Sequence, residues 1–228
     1  MKVRILELID GAKKAMGLTV VIDVFRAMTV EAYLIKNGAK DVIPIGSIDT
    51  AYEYKKAHPN TVLIGERGGK ICSGFDYGNS PSAIKDVDFS GKTVVHTTSA
   101  GTQGIANAVN AQKILTGSIV NARAIAEYIK NSGYDDVSLV CMGLEGKEST
   151  EEDVLCAEYI KSIIDGSAID FEKQVEIIKR TSGAKFFKAE NRDVFPEEDF
   201  YLSLEKDKFD FVLEVVKGED GFMHTKKI

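Results

Sequence analysis

The sequence predicts an α/β fold: a three-layer α/β/α arrangement around a mainly parallel or mixed sheet. Three observations carry the prediction. Short β-branched runs recur along the chain, helical patterns stand between them, and the composition is that of ordinary globular material, 44% hydrophobic and 28% charged. Strands alternating with helices are the mark of βαβ units. No repeat of 20–50 residues is visible, and the 228 residues read as one domain, 1–228, long enough to bury a core without disulfides or a structural metal.

The elements follow in order. Residues 2–8 alternate polar and apolar, as an edge or antiparallel strand does. Residues 18–24 are a nearly continuous apolar strand. A helix over 29–37 ends at Gly38, a C′ glycine. A strand at 41–45 leads to a helix over 47–57 that stops before Pro59. After a strand at 61–65, residues 65–91 carry Gly65, Gly68, Gly69, Gly74, Gly78, Pro81 and Gly91 with little helical period, so a long loop-rich insertion is expected, and such loops are usually functional. Strands at 93–97 and 113–115 flank a short helix at 103–109. In residues 121–131, Ala124, Ile125, Tyr128 and Ile129 share one helical face, and Leu155, Tyr159, Ile160, Ile163 and Ile164 do so in 151–164. A strand at 136–142 separates these two helices. Residues 167–208 read as two or three helices, a helical lobe or cap, before a last strand at 209–216.

Charge and cysteine content narrow the function. With 29 Lys+Arg against 35 Asp+Glu the net charge is −6, which argues against nucleic acid as a partner because phosphate neutralisation needs a basic face. Cys72, Cys141 and Cys156 show no C-x-x-C spacing, so a reducing compartment, the cytoplasm, is expected. The start, Met1-Lys2-Val3-Arg4-Ile5-Leu6-Glu7, lacks a secretory apolar region, and no stretch approaches 18 apolar residues, so no membrane association is expected. A symmetric homodimer is a common state for cytosolic enzymes of this size.

Five segments could carry chemistry. In Val21-Ile22-Asp23-Val24-Phe25-Arg26-Ala27-Met28-Thr29 an apolar strand ends in an acid and a base, where open α/β sheets place their ligands. A carboxylate there can hold Mg²⁺ or act as nucleophile or base, and Arg26 can clamp an oxyanion; the alternative is that Asp23 caps the next helix and pairs with Arg26. Gly65-Glu66-Arg67-Gly68-Gly69-Lys70 combines a flexible turn with a carboxylate and a guanidinium. Gly74-Phe75-Asp76-Tyr77-Gly78-Asn79-Ser80-Pro81 gathers Asp76, Asn79 and Ser80 at a turn, which is equally good turn chemistry. His96-Thr97-Thr98-Ser99-Ala100-Gly101-Thr102 places four hydroxyls at a strand-to-helix junction, more than N-capping requires, and reads as an anion site. Glu148-Ser149-Thr150-Glu151-Glu152-Asp153 has capping-box spacing, yet could bring a carboxylate to the same cleft. There is no nucleotide fingerprint, no H-E-x-x-H, no G-x-S-x-G and no Cys-x₅-Arg loop. What remains is a hard-oxygen site with arginines, suited to Mg²⁺ and a small oxyanion.

At these residues the chain resembles the 2-phosphosulfolactate phosphatase family, Mg²⁺-dependent enzymes of coenzyme M biosynthesis. The likeness rests on V-I-D-V-F-R-A-M-T at 21–29, G-E-R at 65–67, G-F-D-Y-G-N-S-P at 74–81, T-T-S-A-G-T at 97–102 and E-E-D-V-L-C-A at 151–157. The family's R-A-T-T, T-T-N-G-T and C-A-G or A-A-G stand here as R-A-M-T, T-T-S-A-G-T and C-A-E. The resemblance implies hydrolysis of 2-phospho-3-sulfolactate, or a similar small phosphorylated hydroxy acid, to 3-sulfolactate and phosphate. Under that reading Asp23, Arg26, Glu66 and Arg67 are catalytic. Asn79, Ser80, Thr97, Thr98, Ser99, Gly101 and Thr102 are the candidates to bind the small anionic substrate, and Asp23, Glu66, Asp76 and Asp153 are the candidate metal ligands. In-line attack by water, with Asp23 as metal ligand or base, competes with attack by Asp23 itself. The reading from another class is a non-catalytic sensor of small phosphorylated or sulfonated acids.

Overall fold

In the computed structural model, which describes all of Met1–Ile228, the apolar runs set the sheet. Strand β2 (Gly17–Ile22) is buried along its whole length and lies between β7 (Ala111–Gly117) and β8 (Asp136–Cys141), parallel to both. Strand β1 (Lys2–Glu7) runs parallel to β8 at the sheet's edge, so of the two expectations for this alternating segment the edge position holds and the antiparallel pairing does not. A second parallel group contains β3 (Asp41–Pro44), β6 (Thr93–Thr97) and β4 (Val62–Arg67), with β5 (Lys70–Ile71) folded back antiparallel on β4. The hairpin of β9 (Leu213–Lys217) and β10 (Met223–Lys227) joins the groups, β9 antiparallel to β7 and β10 antiparallel to β3. The result is a ten-stranded mixed sheet, ordered β1-β8-β2-β7-β9-β10-β3-β6-β4-β5. The two parallel groups therefore run in opposite senses.

Helices cover both faces of each group, as the period-2 geometry of the strands requires. Leu18, Val20 and Ile22 pack with α6 (Ala122–Asn131) and α7 (Glu151–Asp165), whereas Val21 faces α1 (Leu8–Lys14) and α5 (Gly101–Asn107). In the second group Val42, Ile64 and Val94 pack with α2 (Ala27–Lys36) and the short α4 (Pro81–Ile84). Ile43, Leu63 and Val95 meet α3 (Ile48–Ala57). On α6 the apolar stripe buries Ile125 and Ile129 completely, with Ala124 and Tyr128 at its margin; each isoleucine contributes roughly 1.5–3 kcal/mol.

Region 167–208 contains α8 (Phe171–Ile178), 3-10 turns at Ser182–Phe187 and Ala189–Asn191, and α9 (Glu197–Leu204). Its Phe171, Ile178, Phe186, Phe200 and Leu204 enter the same apolar cluster as β2, α6 and α7. The lobe is thus fastened by the main core and overhangs the N-terminal end of α7. No helix is long and apolar enough to cross a membrane.

Candidate active site

One cavity of about 510 Å³ lies where residues following β2, β4, β6 and β8 meet the start of α7 and the lobe. Its walls carry six acids, Asp23, Glu66, Glu145, Glu148, Glu151 and Glu152, against two bases, Arg26 and Lys185.

Asp23 stands just past β2, 6% exposed. Its Oδ1 accepts the Ala27 N–H at 3.2 Å, so it does tie down the start of α2, while Oδ2 accepts no hydrogen bond from the protein. Burial raises its pKa to about 6; the Ala27 bond opposes this, and the charges of Glu66 and Glu152 add to it. Gly101 lets the turn pack closely beside it: a Cβ there would lie 2.7 Å from Met28 Cε and 3.1 Å from Asp23 Oδ2. Glu66, at the end of β4, is held by two backbone donors, Gly69 N at 2.7 Å on Oε2 and Ser99 N at 2.8 Å on Oε1. Each carboxylate oxygen keeps a further lone pair.

Arg26 lines the cavity but is 3% exposed and already engaged. Its Nη1 donates to Asp199 Oδ2 at 2.7 Å and to Val194 O at 2.9 Å, and its Nη2 to Gly69 O at 3.3 Å. The Phe195 ring centroid lies 4.8 Å from the guanidinium carbon. Asn79 also faces the cavity, its Oδ1 against His96 Nε2 at 3.1 Å. The other nitrogen of that buried histidine faces Glu31.

Several expected residues do not reach the cavity. Arg67 follows Glu66 in a strand, so its side chain leaves by the opposite face and donates to the Gly46 and Glu66 carbonyls. Asp76 accepts the Leu63 N–H at 2.8 Å, closing the turn onto β4. Ser80 donates to Asp199 at 2.9 Å and so supports the partner of Arg26. Thr97 is wholly buried in β6. Thr98 lines the cavity, but its hydroxyl accepts the Thr102 N–H at 3.3 Å, and the Thr102 hydroxyl donates back to Thr98 O at 2.9 Å. These hydroxyls close the turn into α5, and with the Ser99 N–H given to Glu66, Ser99 Oγ is the turn's unengaged hydroxyl.

Asp153 lies behind the wall, its oxygens accepting Val24 N and Gly143 N, both at 2.8 Å. It joins the loops after β2 and β8 rather than facing the cavity. Burial holds its pKa well above the usual carboxylate range, with Glu152 and Asp23 adding to the effect. Its neighbour Glu152 is the buried member of the acidic run among the three that line the cavity, and Ser182 donates to its Oε2; burial raises its pKa as well. Sequence reasoning also missed Lys185, Ser182 and Phe195, which the lobe brings to the cavity.

The comparisons agree with one another. A family model described as 2-phosphosulpholactate phosphatase matches residues 3–218. A probable 2-phosphosulfolactate phosphatase of Caldicellulosiruptor saccharolyticus is 44% identical over 144 residues, covering 61% of this chain and 59% of that relative. The chain thus spans about three fifths of that protein's length. Proteins of the same description from Bacillus subtilis and Caldanaerobacter subterraneus are each 32% identical, over 91% and 87% of this chain and 90% and 88% of their own lengths.

Proposed function

The chain belongs to the 2-phosphosulfolactate phosphatase family, and from that premise we propose that it hydrolyses 2-phospho-3-sulfolactate, or a closely similar phosphorylated hydroxy acid, with the help of Mg²⁺. The observation that carries the reading is the convergence of Asp23, Glu66 and Glu152 on one cavity beside Arg26.

The donor set fits a hard divalent cation. No group of three or more His, Cys, Asp or Glu side chains is gathered tightly enough to make a ready metal cage, but Mg²⁺ is usually held by one or two carboxylates, with waters and substrate phosphate oxygens completing its shell. Asp23 Oδ2 is free of protein donors, and the mutual repulsion that helps raise Asp23 is relieved by a cation. Asp23 and Glu66 would hold it, with Glu152 close by. When bound, Mg²⁺ polarises the phosphoryl group and neutralises charge on it.

The chain's own residues do the rest. Two N–H bonds fix the Glu66 carboxylate, so its orientation is set before substrate arrives. The Arg26 guanidinium, immobilised by Asp199, presents a fixed positive charge to the transferring group, the preorganised kind of stabilisation that counts most in a dry site. Ser99 Oγ and the Asn79 amide supply neutral donors. The lobe residues Phe195 and Lys185 narrow access by bulk water.

Phosphate release from 2-phospho-3-sulfolactate and a panel of phosphorylated hydroxy acids, with Mg²⁺ and with excess EDTA, tests the proposal. Mg²⁺-dependent release that Asp23→Asn lowers by several orders of magnitude is expected. Binding without release from any ester, at any Mg²⁺ concentration, would overturn it in favour of the sensor.

A further inference from the structure

A phosphosulfolactate carries two negative groups besides its phosphate, and Arg26 cannot serve them all. Three of its five N–H donors already end on Asp199, Val194 O and Gly69 O, and its charge is paired with Asp199. Lys185, on the 3-10 turn Ser182–Phe187, is the opposite case. It lines the cavity and makes no hydrogen bond or ion pair with the protein, so all three donors of its ammonium are free. The nearby carboxylate of Glu152 is bonded instead by the Ser182 hydroxyl. Around the Lys185 nitrogen stand three rings, Phe195 at 5.3 Å, Phe186 at 5.6 Å and Phe25 at 5.8 Å to their centroids. Burial lowers the pKa of this half-buried cation and the charges of Glu152, Asp23 and Asp153 offset part of that; an anion bonded to its free donors would stabilise the charged form further.

We infer that Lys185 is the specificity-determining cation of this site and receives the sulfonate of the substrate, an assignment that rests on the phosphatase reading above. Two arguments select the sulfonate. With the phosphate at the metal ligands, the choice lies between carboxylate and sulfonate, and a compact ammonium needs no planar partner, whereas a planar carboxylate is better served by a guanidinium fork. Phe25 and Phe195, the two of these rings that line the cavity, make its surroundings apolar, which suits the more weakly hydrated sulfonate because it loses less on leaving water. The carboxylates of Asp23 and Glu66 lie at the strand ends and Lys185 on the lobe, so a phosphate at the metal ligands would leave the far end of a small acid toward Lys185.

The test compares 2-phospho-3-sulfolactate with 2-phospholactate, which lacks only the sulfonate. In the wild type the sulfonated ester is preferred in kcat/KM. In Lys185→Met, which keeps the side chain's bulk against the rings, that preference falls about 10- to 100-fold, chiefly through KM, as expected for one lost charge-assisted hydrogen bond. Lys185→Arg retains part of it, and Lys185→Gln, checked for folding by its melting curve, repeats the loss. A preference that is absent in the wild type, or unchanged in the variants however far both rates fall, overturns the assignment. If the wild type hydrolyses neither ester, the phosphatase reading fails by itself and calorimetric binding of 3-sulfolactate against lactate decides on Lys185. Tighter binding of 3-sulfolactate that disappears in Lys185→Met sustains the assignment; equal binding of the two acids, or binding of neither, overturns it.

Discussion

Asp199 has no exposed surface, and four hydrogen bonds end on it: Arg26 Nη1 at 2.7 Å, Ser82 Oγ at 2.6 Å, and Ser80 Oγ and Ser82 N at 2.9 Å each. Replacing it with alanine leaves the Arg26 guanidinium, itself 3% exposed, buried without a counter-charge. Breaking one side of such a pair costs about 3–5 kcal/mol. For a chain of this length each kcal/mol lowers Tm by about 2–4 °C, so a fall of about 6–20 °C is expected. Urea titration and calorimetry measure the loss directly. Because Arg26 lines the cavity and Asp199 does not, kcat/KM should fall in Asp199→Ala although the residue replaced never meets substrate. Asp199→Asn, which keeps acceptors for Ser82 but loses the charge, should lie between alanine and wild type. The pair Arg26→Met with Asp199→Leu removes both charges and should be more stable than Asp199→Leu alone, yet inactive. A loss below about 1 kcal/mol in Asp199→Ala, the size of an exposed ion pair, would show that the buried pair does not hold Arg26, and the reasoning would fail.

Two further outcomes follow from the same geometry. His224 lies between Asp41 Oδ2 at 2.5 Å and Asp220 Oδ1 at 2.9 Å; burial alone would lower its pKa, but the bonds to Asp220 and Asp41 outweigh it and raise it above 6.5. A raised folded-state pKa stabilises fully below the unfolded value and ceases to do so as pH rises through the folded one, so the Tm gap between wild type and His224→Gln should be wide at pH 6 and narrow at pH 9; an equal gap at both would rule the charged histidine out. Arg67→Ala, which removes donors to the Gly46 and Glu66 carbonyls but no group facing the cavity, should lower kcat/KM by less than about tenfold, under the ~1.4 kcal/mol that a tenfold change represents, and a larger loss would return Arg67 to the cavity.

The strand-helix order and the strand-end positions of Asp23 and Glu66 were legible because they depend on local periodicity. Asp23 and Glu66 follow apolar runs whose place in a sheet is nearly forced. Other features depend on contacts between distant segments. Met223–Lys227 has little apolar pattern, yet becomes β10 because β9 and β3 flank it. Helix α1 escaped notice because Gly11 interrupts it, a residue of poor helix propensity; its missing Cβ would meet Leu6 at 3.0 Å. In the acidic run, the start of a helix could be read, but not its rotation. Adjacent residues on a helix point about 100° apart, and that angle sends Glu152 into the cavity and Asp153 behind it. Likewise one step along β4 separates Glu66 from Arg67. Lys185 gave no signal, since a lysine before two phenylalanines has ordinary surface chemistry until the lobe folds over the cavity.

The acids on the walls also weigh between enzyme and sensor. A protein selected only to bind an anion gains nothing from six carboxylates around two bases, because each unscreened acid repels the ligand by an amount that grows as water is excluded. Burial raises the pKa values of Asp23 and Glu152, and the charges of Glu66 and Glu152 add to the rise of Asp23, an expense in stability that a passive anion pocket would shed by replacing them with neutral donors. The same carboxylates make sense where a divalent cation must be held and a proton accepted during an otherwise very slow hydrolysis. Their charge becomes favourable once a cation lies among them, and the phosphate then meets a locally positive surface. Under the proposed reading carboxylates, cation and phosphate are mutually required, whereas a site built to recognise the anion alone would bind it equally well without Mg²⁺.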